Sequence, residues 1–298
     1  MGSNSSTPKP KLACEIAADR VLAGRLAESG TALEACAAHE LAPGSVIPDL
    51  VENNLRQREA VRAGIAAALG GVAGRSKDVI AILPDASVRV ALVEFDALPS
   101  DTDEALGVVR FRLKKSLPFD VDKAKVSFHA QSFSGGVRVV AAVALASVVE
   151  DYESAFRDAG FIPGVVVPSM LAALGAAEGK RPTLVVKVDA HTTSIAILND
   201  DQLQLFRTLE NTRGVTITGE QLAEEVYPSV VFFQDTYHLN IEHIYVAGLS
   251  ESGGAAPALR DQTGAELQDL VASAQLGASM GGAVPRWRMA GVLGALIS

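Results

Sequence analysis

The chain has 298 residues, of which 48% are apolar and 20% are charged. This length and composition allow a substantial buried core, in two medium domains or one large bilobal one. Acidic residues outnumber basic ones by 35 to 26, which gives a formal net charge of −9 without any basic tract. The charge therefore argues against a nucleic-acid partner.

Residues 1–10 are polar and are predicted to form a flexible tail. The longest apolar run, residues 139–149, is shorter than the ~20 residues that a membrane-spanning helix needs. We therefore expect no direct membrane insertion and a cytoplasmic location. Cys14 and Cys36 lie in apolar segments, where they are expected to be buried thiols in a reducing compartment.

The opening elements predict a first α/β lobe over residues 11–84. Three short apolar stretches alternate well enough to predict an antiparallel meander of strands. They lie at residues 12–17, 20–27 and 32–41. The stretch 57–70 has apolar residues at every fourth position and predicts a helix, and a buried strand is expected at 78–84.

The next segment, residues 85–161, has a different order of predicted strands and helices, which indicates an inserted α+β subdomain. The predicted order is a strand, a helix, two strands joined by a turn, and a second helix. These elements are expected at residues 88–95, 102–116, 124–133, 137–145 and 148–159. Residues 162–181, a strand followed by a short helix, then return the chain to the first lobe.

The opening pattern recurs from residue 183 and predicts a second lobe over residues 182–298. Three strands are expected at residues 183–189, 193–199 and 202–209. A duplicated meander followed by a helix predicts two related α/β lobes that face a cleft. A long helix, a strand and a final packed helix complete this lobe, and Trp287 is expected to anchor the final helix in the core.

The ordered set of elements resembles the actin-like ATPase superfamily. Within it, the chain is similar to the PilM family of type IV pilus assembly proteins, relatives of the cell-division protein FtsA. The stretches that carry the resemblance are residues 81–131, 156–177 and 222–248. It covers nearly the whole chain and implies duplicated RNase H-type lobes with the inserted subdomain. One long helix fills residues 211–243, where actin relatives insert a second small subdomain, so that subdomain is expected to be missing.

The resemblance implies a nucleotide cleft between two hairpins that hold phosphates through glycine backbone, with an Asp in each for Mg²⁺ and water. In the first hairpin, Glu15 stands where the superfamily favours Asp. Ala17 and Ala18 stand where small, usually glycine-containing, residues occur. Because a Cβ restricts close approach and positive φ, these alanines predict an impaired phosphate cradle.

The second hairpin, residues 187–198, has no glycine. One alignment puts Lys187 in the acidic position and Asp189 in place of a glycine, whereas the other keeps Asp189 as the acid and leaves the bend too short. The remaining candidates for the degenerate nucleotide cleft are His191, Thr192, Thr193 and Gly248. We therefore expect no cofactor, no metal and no catalysis, with residual ATP and Mg²⁺ binding as the alternative.

The resemblance implies a scaffold of a type IV pilus machine, or of a related type II secretion machine, held at the inner membrane by a partner. The implied partner is a PilN-like inner-membrane protein, whose cytoplasmic N-terminal tail lies extended in a groove between the first lobe and the insertion. The strand after Pro84 and the helix that ends in "SLPF" are the expected neighbourhood.

A basic cluster lies on the first helix of the inserted segment. It consists of Arg110, Arg112, Lys114 and Lys115. It is interpreted either as a docking face for an acidic or membrane-proximal segment or as an ordinary solvated surface. Two other functions stay open at this point, an ATP-dependent switch and an FtsA-like filament protein, and a homodimer is also compatible with the sequence.

Overall fold

The computed structural model describes residues 9–51, 53–250, 254–276 and 284–298. In chain order, the strands are β1 (Leu12–Ile16), β2 (Arg20–Leu26), β3 (Leu33–Glu40), β4 (Asp78–Leu83), β5 (Arg89–Phe95), β6 (Ala124–Phe133), β7 (Gly136–Leu145), β8 (Ile162–Pro168), β9 (Thr183–Val188), β10 (Thr192–Asn199), β11 (Gln202–Glu210), β12 (His243–Ala247) and β13 (Glu266–Gln268). The helices are α1 (Arg58–Gly70), α2 (Thr102–Leu113), α3 (Ala146–Asp158), α4 (Ser169–Leu174), α5 (Gly219–Tyr237), α6 (Ala255–Thr263) and α7 (Ala290–Ile297).

Both lobes have the same sheet topology. The first sheet has the order β3-β2-β1-β4-β8, and the second has the order β11-β10-β9-β12-β13. In each sheet the first three strands form an antiparallel meander, and the fourth strand runs parallel to the first. The predicted duplication of a meander-plus-helix unit is therefore confirmed.

The core of the first lobe lies between its sheet and two helices. α1 buries Val61, Ile65 and Leu69 against the sheet, as their spacing predicts. α3 buries Tyr152 and Phe156 in the same core. The prediction placed this helix inside the insertion, but its apolar face packs beside α1 in the first lobe.

The insertion has a small core of its own. Its three strands pair in the order β5-β7-β6. α2 covers one face of this sheet with Val109 and Leu113, which pack against Val139, Ala141 and Val143. Side chains alternate across a strand, so the intervening residues of β7 face the first lobe instead.

The terminal helix α7 was predicted to belong to the second lobe, but it packs on β1, β2 and β4 of the first sheet. There it lies so close to α4 that glycines are required between the two helices. A Cβ on Gly294 would lie 2.2 Å from the carbonyl oxygen of Ala172, and one on Gly175 would lie 2.4 Å from the carbonyl oxygen of Gly294. Real Cβ atoms do not approach backbone oxygens this closely. Through α7 the chain therefore returns from the second lobe to the first sheet, where it makes backbone contact with α4.

Residues 211–242, all of them described, hold a short 3₁₀ turn and α5 but no strand, so the second small subdomain is missing as expected. α5 runs through Pro228 without a break. The predicted role of Trp287 is wrong, because this residue lies half-buried in a 3₁₀ turn before α7 and Arg288 stacks 5.0 Å above its ring.

Cys14 is buried and Cys36 is half-buried, and both are free thiols. Residues 1–8 of the predicted tail lie outside the described residues. Within the described ranges, no helix is both long and apolar enough to cross a membrane.

Candidate functional site

The first hairpin of each lobe faces the cleft, and the two hairpins have the same length. The last residue pair is Ile16–Val21 in the first lobe and Val188–Thr193 in the second. The register therefore selects the alignment that puts Lys187 in the acidic position, and the second bend is not short.

Glu15 and Lys187 thus occupy equivalent positions in the two lobes with opposite charges, and they form a buried ion pair. The Nζ of Lys187 lies 3.4 Å from Oε1 of Glu15, and each side chain is 4% exposed. Lys187 also pairs with the carboxylate of Asp189, and the Ser169 hydroxyl donates to Glu15. A cation of the second lobe therefore sits against the carboxylate of the first hairpin.

Arg20 brings a second buried cation to the same place. Its Nη1 lies 2.8 Å from both carboxylate oxygens of Asp19, and its Nη2 lies 3.5 Å from Oδ1 of Asp189. Asp189 therefore lies between Lys187 of its own lobe and Arg20 of the other.

The neighbouring charges keep these groups ionised. Burial alone would lower the pKa of Lys187, but the carboxylates of Asp189, Glu15 and Asp85 outweigh it and raise that pKa. Burial alone would raise the pKa of Asp189, but Lys187 and Arg20 outweigh it and lower that pKa. The cleft is therefore closed by ion pairs made of the protein's own side chains.

Asp85 extends this network between the lobes. It is 2% exposed and accepts hydrogen bonds from the backbone N–H of Met170 at 2.8 Å and from the Ser194 hydroxyl at 2.7 Å. Burial raises the pKa of Asp85 to about 6; the nearby Asp189 adds to the shift and Lys187 opposes it. This carboxyl therefore titrates closer to neutrality than an ordinary aspartate.

The cavity between the hairpins has a volume of about 10 Å³. Six of the predicted nucleotide residues meet around it: Glu15, Ala17, Ala18, Asp189, His191 and Thr192. Pockets for small ligands usually enclose roughly 300–1,000 Å³. The space directly between the hairpins is therefore filled by the protein's own side chains, although His191 and Thr192 also border a neighbouring cavity of about 820 Å³.

The other two predicted nucleotide residues serve the packing of the second lobe. Thr193 is fully buried, with its hydroxyl 3.4 Å from a carboxylate oxygen of Glu225 on α5. Gly248 has φ +83°, and a Cβ there would lie 1.8 Å from the carbonyl oxygen of Val188. Packing against β9 therefore explains this glycine without a bound nucleotide.

Among the residues that the structure describes, no three His, Cys, Asp or Glu side chains form a group able to hold a metal ion.

The basic cluster on α2 is divided by the structure. Arg110 donates to the carbonyl oxygens of Val121 and Ala124, both at 3.1 Å, and so ties α2 to the start of β6. The exposed cations are Arg112, Lys114 and Lys115. Phe111, in the same turn, is 82% exposed. The role of this cluster toward a partner stays a prediction.

A groove of about 340 Å³ lies between the first lobe and the insertion. We call it the β8 groove, because β8 is the outermost strand of the first sheet and lines its floor. The residues around it are Leu83, Val88, Lys125, Val126, Ser127, Ala142, Ala144, Val149, Glu153, Pro163, Gly164, Val166, Val167 and Pro168. The predicted neighbourhood after Pro84 borders it, whereas α2, whose helix precedes "SLPF", lies across the inserted sheet and does not line it.

Sequence reasoning missed Arg20, Asp85, Ser169 and Ser194 as members of the cleft network. The available signal was the charge reversal between Glu15 and Lys187 at equivalent positions of two repeated meanders. Opposite charges at equivalent positions of facing hairpins predict a pair across the cleft, since isolated charges are rarely buried.

Comparison with solved structures assigns the fold. A chain of the PilM-PilN type IV pilus biogenesis complex is 21% identical, with a TM-score of 0.80 over 98% of this chain and 100% of the other. Ethanolamine utilization protein EutJ from Carboxydothermus hydrogenoformans is 10% identical, with a TM-score of 0.55 over 98% and 90%. A Bacteroides thetaiotaomicron protein with an actin-like ATPase fold is also 10% identical, with a TM-score of 0.53 over 90% and 93%.

These likenesses show an actin-like fold, in the form found in the PilM-PilN complex. No protein-family model and no curated protein sequence matches this chain.

Proposed function

We propose that this protein is a PilM-like scaffold of a type IV pilus assembly machine. In this proposal it lies in the cytoplasm at the inner membrane, binds the N-terminal tail of a PilN-like protein and does not hydrolyse ATP. The observation that carries the proposal is the full-length structural likeness to a chain of a complex that contains PilN.

The β8 groove is the site at which we place the tail. Among the strands of the described residues, β8 pairs with β4 alone, so its outer edge can offer backbone N–H and C=O groups. Ile162 and Val165 on this strand are 58% and 46% exposed, which is unusual for apolar residues on an outer strand. An extended peptide can add to such an edge, with its backbone supplying affinity and alternate side chains supplying specificity.

The walls of the groove indicate the chemistry of the tail. Ala142 and Ala144 of β7 and Val166 and Val167 of β8 offer apolar surface to the tail's side chains. The charged lining residues Lys125 and Glu153 pair with each other at 3.3 Å, and Glu153 also pairs with Arg157 at 3.5 Å. The groove therefore suits an extended, mainly apolar segment with few charges.

The absence of ATP hydrolysis is supported by the closed cleft. Lys187 and Arg20 occupy the region between the hairpins, and their carboxylate partners come from both lobes. Charge pairing that spans the lobes supplies the contact that a nucleotide would otherwise make.

The test is copurification from membranes with a variant that fills the groove. A Cβ at Gly164 meets nothing within 4 Å, and Gly164 lines the groove, so Gly164→Trp is expected to place a large side chain in it. Gly107→Trp is the matched control, because Gly107 has equally open surroundings but lies on α2, outside the groove.

We expect tagged wild type and Gly107→Trp to retain the PilN-like protein of the same genome, and Gly164→Trp to lose it. Retention by all three variants would remove the β8 groove as the site. Failure of the wild type to retain any PilN-like protein would refute the proposed function itself.

A further inference from the structure

We propose that the protein has a second docking groove, between the insertion and the second lobe, that binds an extended acidic segment of another protein. We call it the β5–β11 groove. It has a volume of about 770 Å³ and is lined by residues 89–94 of β5 and residues 204–207 of β11. α2 and α5 form its side walls, through Arg112, Leu113, Ser116, Phe232, Thr236 and Tyr237.

The groove runs along two strand edges that pair with no other strand of the described residues. Side chains alternate across a sheet, so a groove bordered by consecutive residues of a strand must follow the edge of that strand. β5 is the outermost strand of the inserted sheet and β11 is the outermost strand of the second sheet, and they belong to different sheets. Their edges therefore offer backbone groups that an added strand could pair with.

Positive charge is concentrated around these edges in a protein whose net charge is −9. Four arginines line the groove, whereas Glu94 is its one acidic residue. The arginines are Arg89, Arg112, Arg138 and Arg207. Arg138 is only 6% exposed and pairs with Glu94 at 2.7 Å, so this acid is already neutralised.

The other three arginines have no ion pair with any residue in the described ranges. The nearest polar contact of Arg207 is the Ser229 hydroxyl, 3.4 Å from its Nη1, and its guanidinium lies 5.8 Å from the Phe232 ring. Phe232 is itself 46% exposed. Guanidinium groups without an ion-pair partner, beside an exposed aromatic ring, are typical of a site that binds carboxylates.

Charge and shape together select the occupant. An extended peptide with acidic side chains at alternate positions can pair its backbone with a strand edge and its carboxylates with Arg89, Arg112 and Arg207. The N-terminal segment of this chain is excluded on charge, because residues 1–10 contain one lysine, Lys9, and no acidic residue. The occupant is therefore a segment of a partner protein.

This groove is separate from the β8 groove, with which it shares no lining residue. The inference therefore stands or falls independently of the proposed function.

The test uses fluorescein-labelled peptides and fluorescence anisotropy on the full chain. The probe is a peptide of alternating glutamate and valine as long as β5. One control peptide has lysine in place of glutamate, and another keeps the glutamates but carries N-methyl groups on alternate amides, which block strand pairing. The protein variants are Arg207→Glu and Arg112→Glu, with Lys114→Glu as the matched control outside the groove.

We expect saturable binding of the acidic peptide and none of the lysine peptide. Arg207→Glu and Arg112→Glu should each weaken the affinity by about tenfold or more, whereas Lys114→Glu and Gly164→Trp should leave it within about twofold. In hydrogen exchange, the acidic peptide should protect amides of β5 or β11.

Four results would overturn the proposal. They are an absence of saturable binding, an equal loss in Lys114→Glu, unchanged binding of the N-methylated peptide, and tighter binding of a single-stranded oligonucleotide that is lost in the same arginine variants. Self-association of the wild type that disappears in Arg207→Glu would assign the groove to a second copy and would also overturn it.

Discussion

At the scale of single residues, Lys187 is the side chain whose ion pairs hold the cleft closed. Its ammonium pairs with Glu15 of the first lobe and Asp189 of its own, and all three side chains are largely buried. Removing one partner of a buried ion pair leaves an uncompensated charge, which is more costly than the loss of the attraction itself.

Lys187→Met should therefore lower the free energy of unfolding by about 3–5 kcal/mol at neutral pH. Urea denaturation followed by circular dichroism measures this change. Lys180→Met is the control, because Lys180 is exposed and should change stability by no more than about 0.5 kcal/mol. A Lys187→Met protein as stable as the wild type would show that the ion pairs do not hold the cleft closed.

Asp85 predicts a pH dependence of stability. Its pKa is raised to about 6 in the folded protein from an ordinary value of 3.8, so the folded state binds a proton that the unfolded state has lost. Ionised Asp85 therefore costs stability above pH 6, and this cost disappears as the pH falls toward 4. A shift of about two units corresponds to about 3 kcal/mol.

Asp85→Asn should consequently be more stable than the wild type at pH 7.5, by up to about 3 kcal/mol. The difference should fall to about 1 kcal/mol at pH 4.5 and vanish below the unfolded pKa of 3.8. The amide oxygen of asparagine can accept the hydrogen bond from the backbone N–H of Met170. Its NH₂ group can donate to the Ser194 hydroxyl, which donates to Asp85 in the wild type. Denaturant unfolding at several pH values measures the difference. A stability difference that does not change between pH 7.5 and 4.5 would contradict the raised pKa.

Among elements, the α4–α7 contact is the most sensitive to a small change. The Cβ of an alanine at Gly294 would meet the backbone of α4, which cannot move aside as a flexible side chain can. Gly294→Ala should lower the melting temperature and destabilise the fold by about 1–3 kcal/mol. Thermal unfolding followed by circular dichroism measures both.

Gly107→Ala is the matched control for that experiment. Gly107 lies inside α2 with open space around it, so alanine should stabilise the helix by up to about 1 kcal/mol. A Gly294→Ala protein that melts at or above the wild-type temperature would refute close backbone packing between the helices.

Element positions could be predicted well because each element has a local signal. Alternation marked the meanders, and the fourfold spacing of Val61, Ile65 and Leu69 marked α1. β13, only three residues long, carries no such signal, since its strand pairing with β12 depends on the tertiary fold. The burial of Trp287 was predicted wrongly because an aromatic residue next to an apolar helix can lie either in the core or half-buried at the surface.

The candidate site was harder to predict than the fold. The residues of both hairpins were identified, but sequence alone left their alignment open, because it depends on the strand register. Asp85 and Ser169 each follow a proline, at the ends of two strands that are far apart in the chain. The fold alone brings them to Glu15, Lys187 and Ser194.

At the scale of the whole molecule, ion pairs between buried side chains hold the two lobes together at the cleft. If the protein binds a partner's tail as proposed, we expect that binding to require no nucleotide. Buried ion pairs join the two lobes at the cleft, and α7 carries the chain from the second lobe back onto the first sheet. All of these contacts are made by the protein's own residues.

The most direct test is an isothermal titration of the protein with the N-terminal tail peptide of the PilN-like protein, with and without Mg·ATP. We predict saturable binding with the same dissociation constant in both titrations, and no heat when Mg·ATP is titrated alone. Tail binding that appears only with Mg·ATP, or saturable micromolar binding of Mg·ATP itself that Glu15→Ala abolishes, would contradict the account.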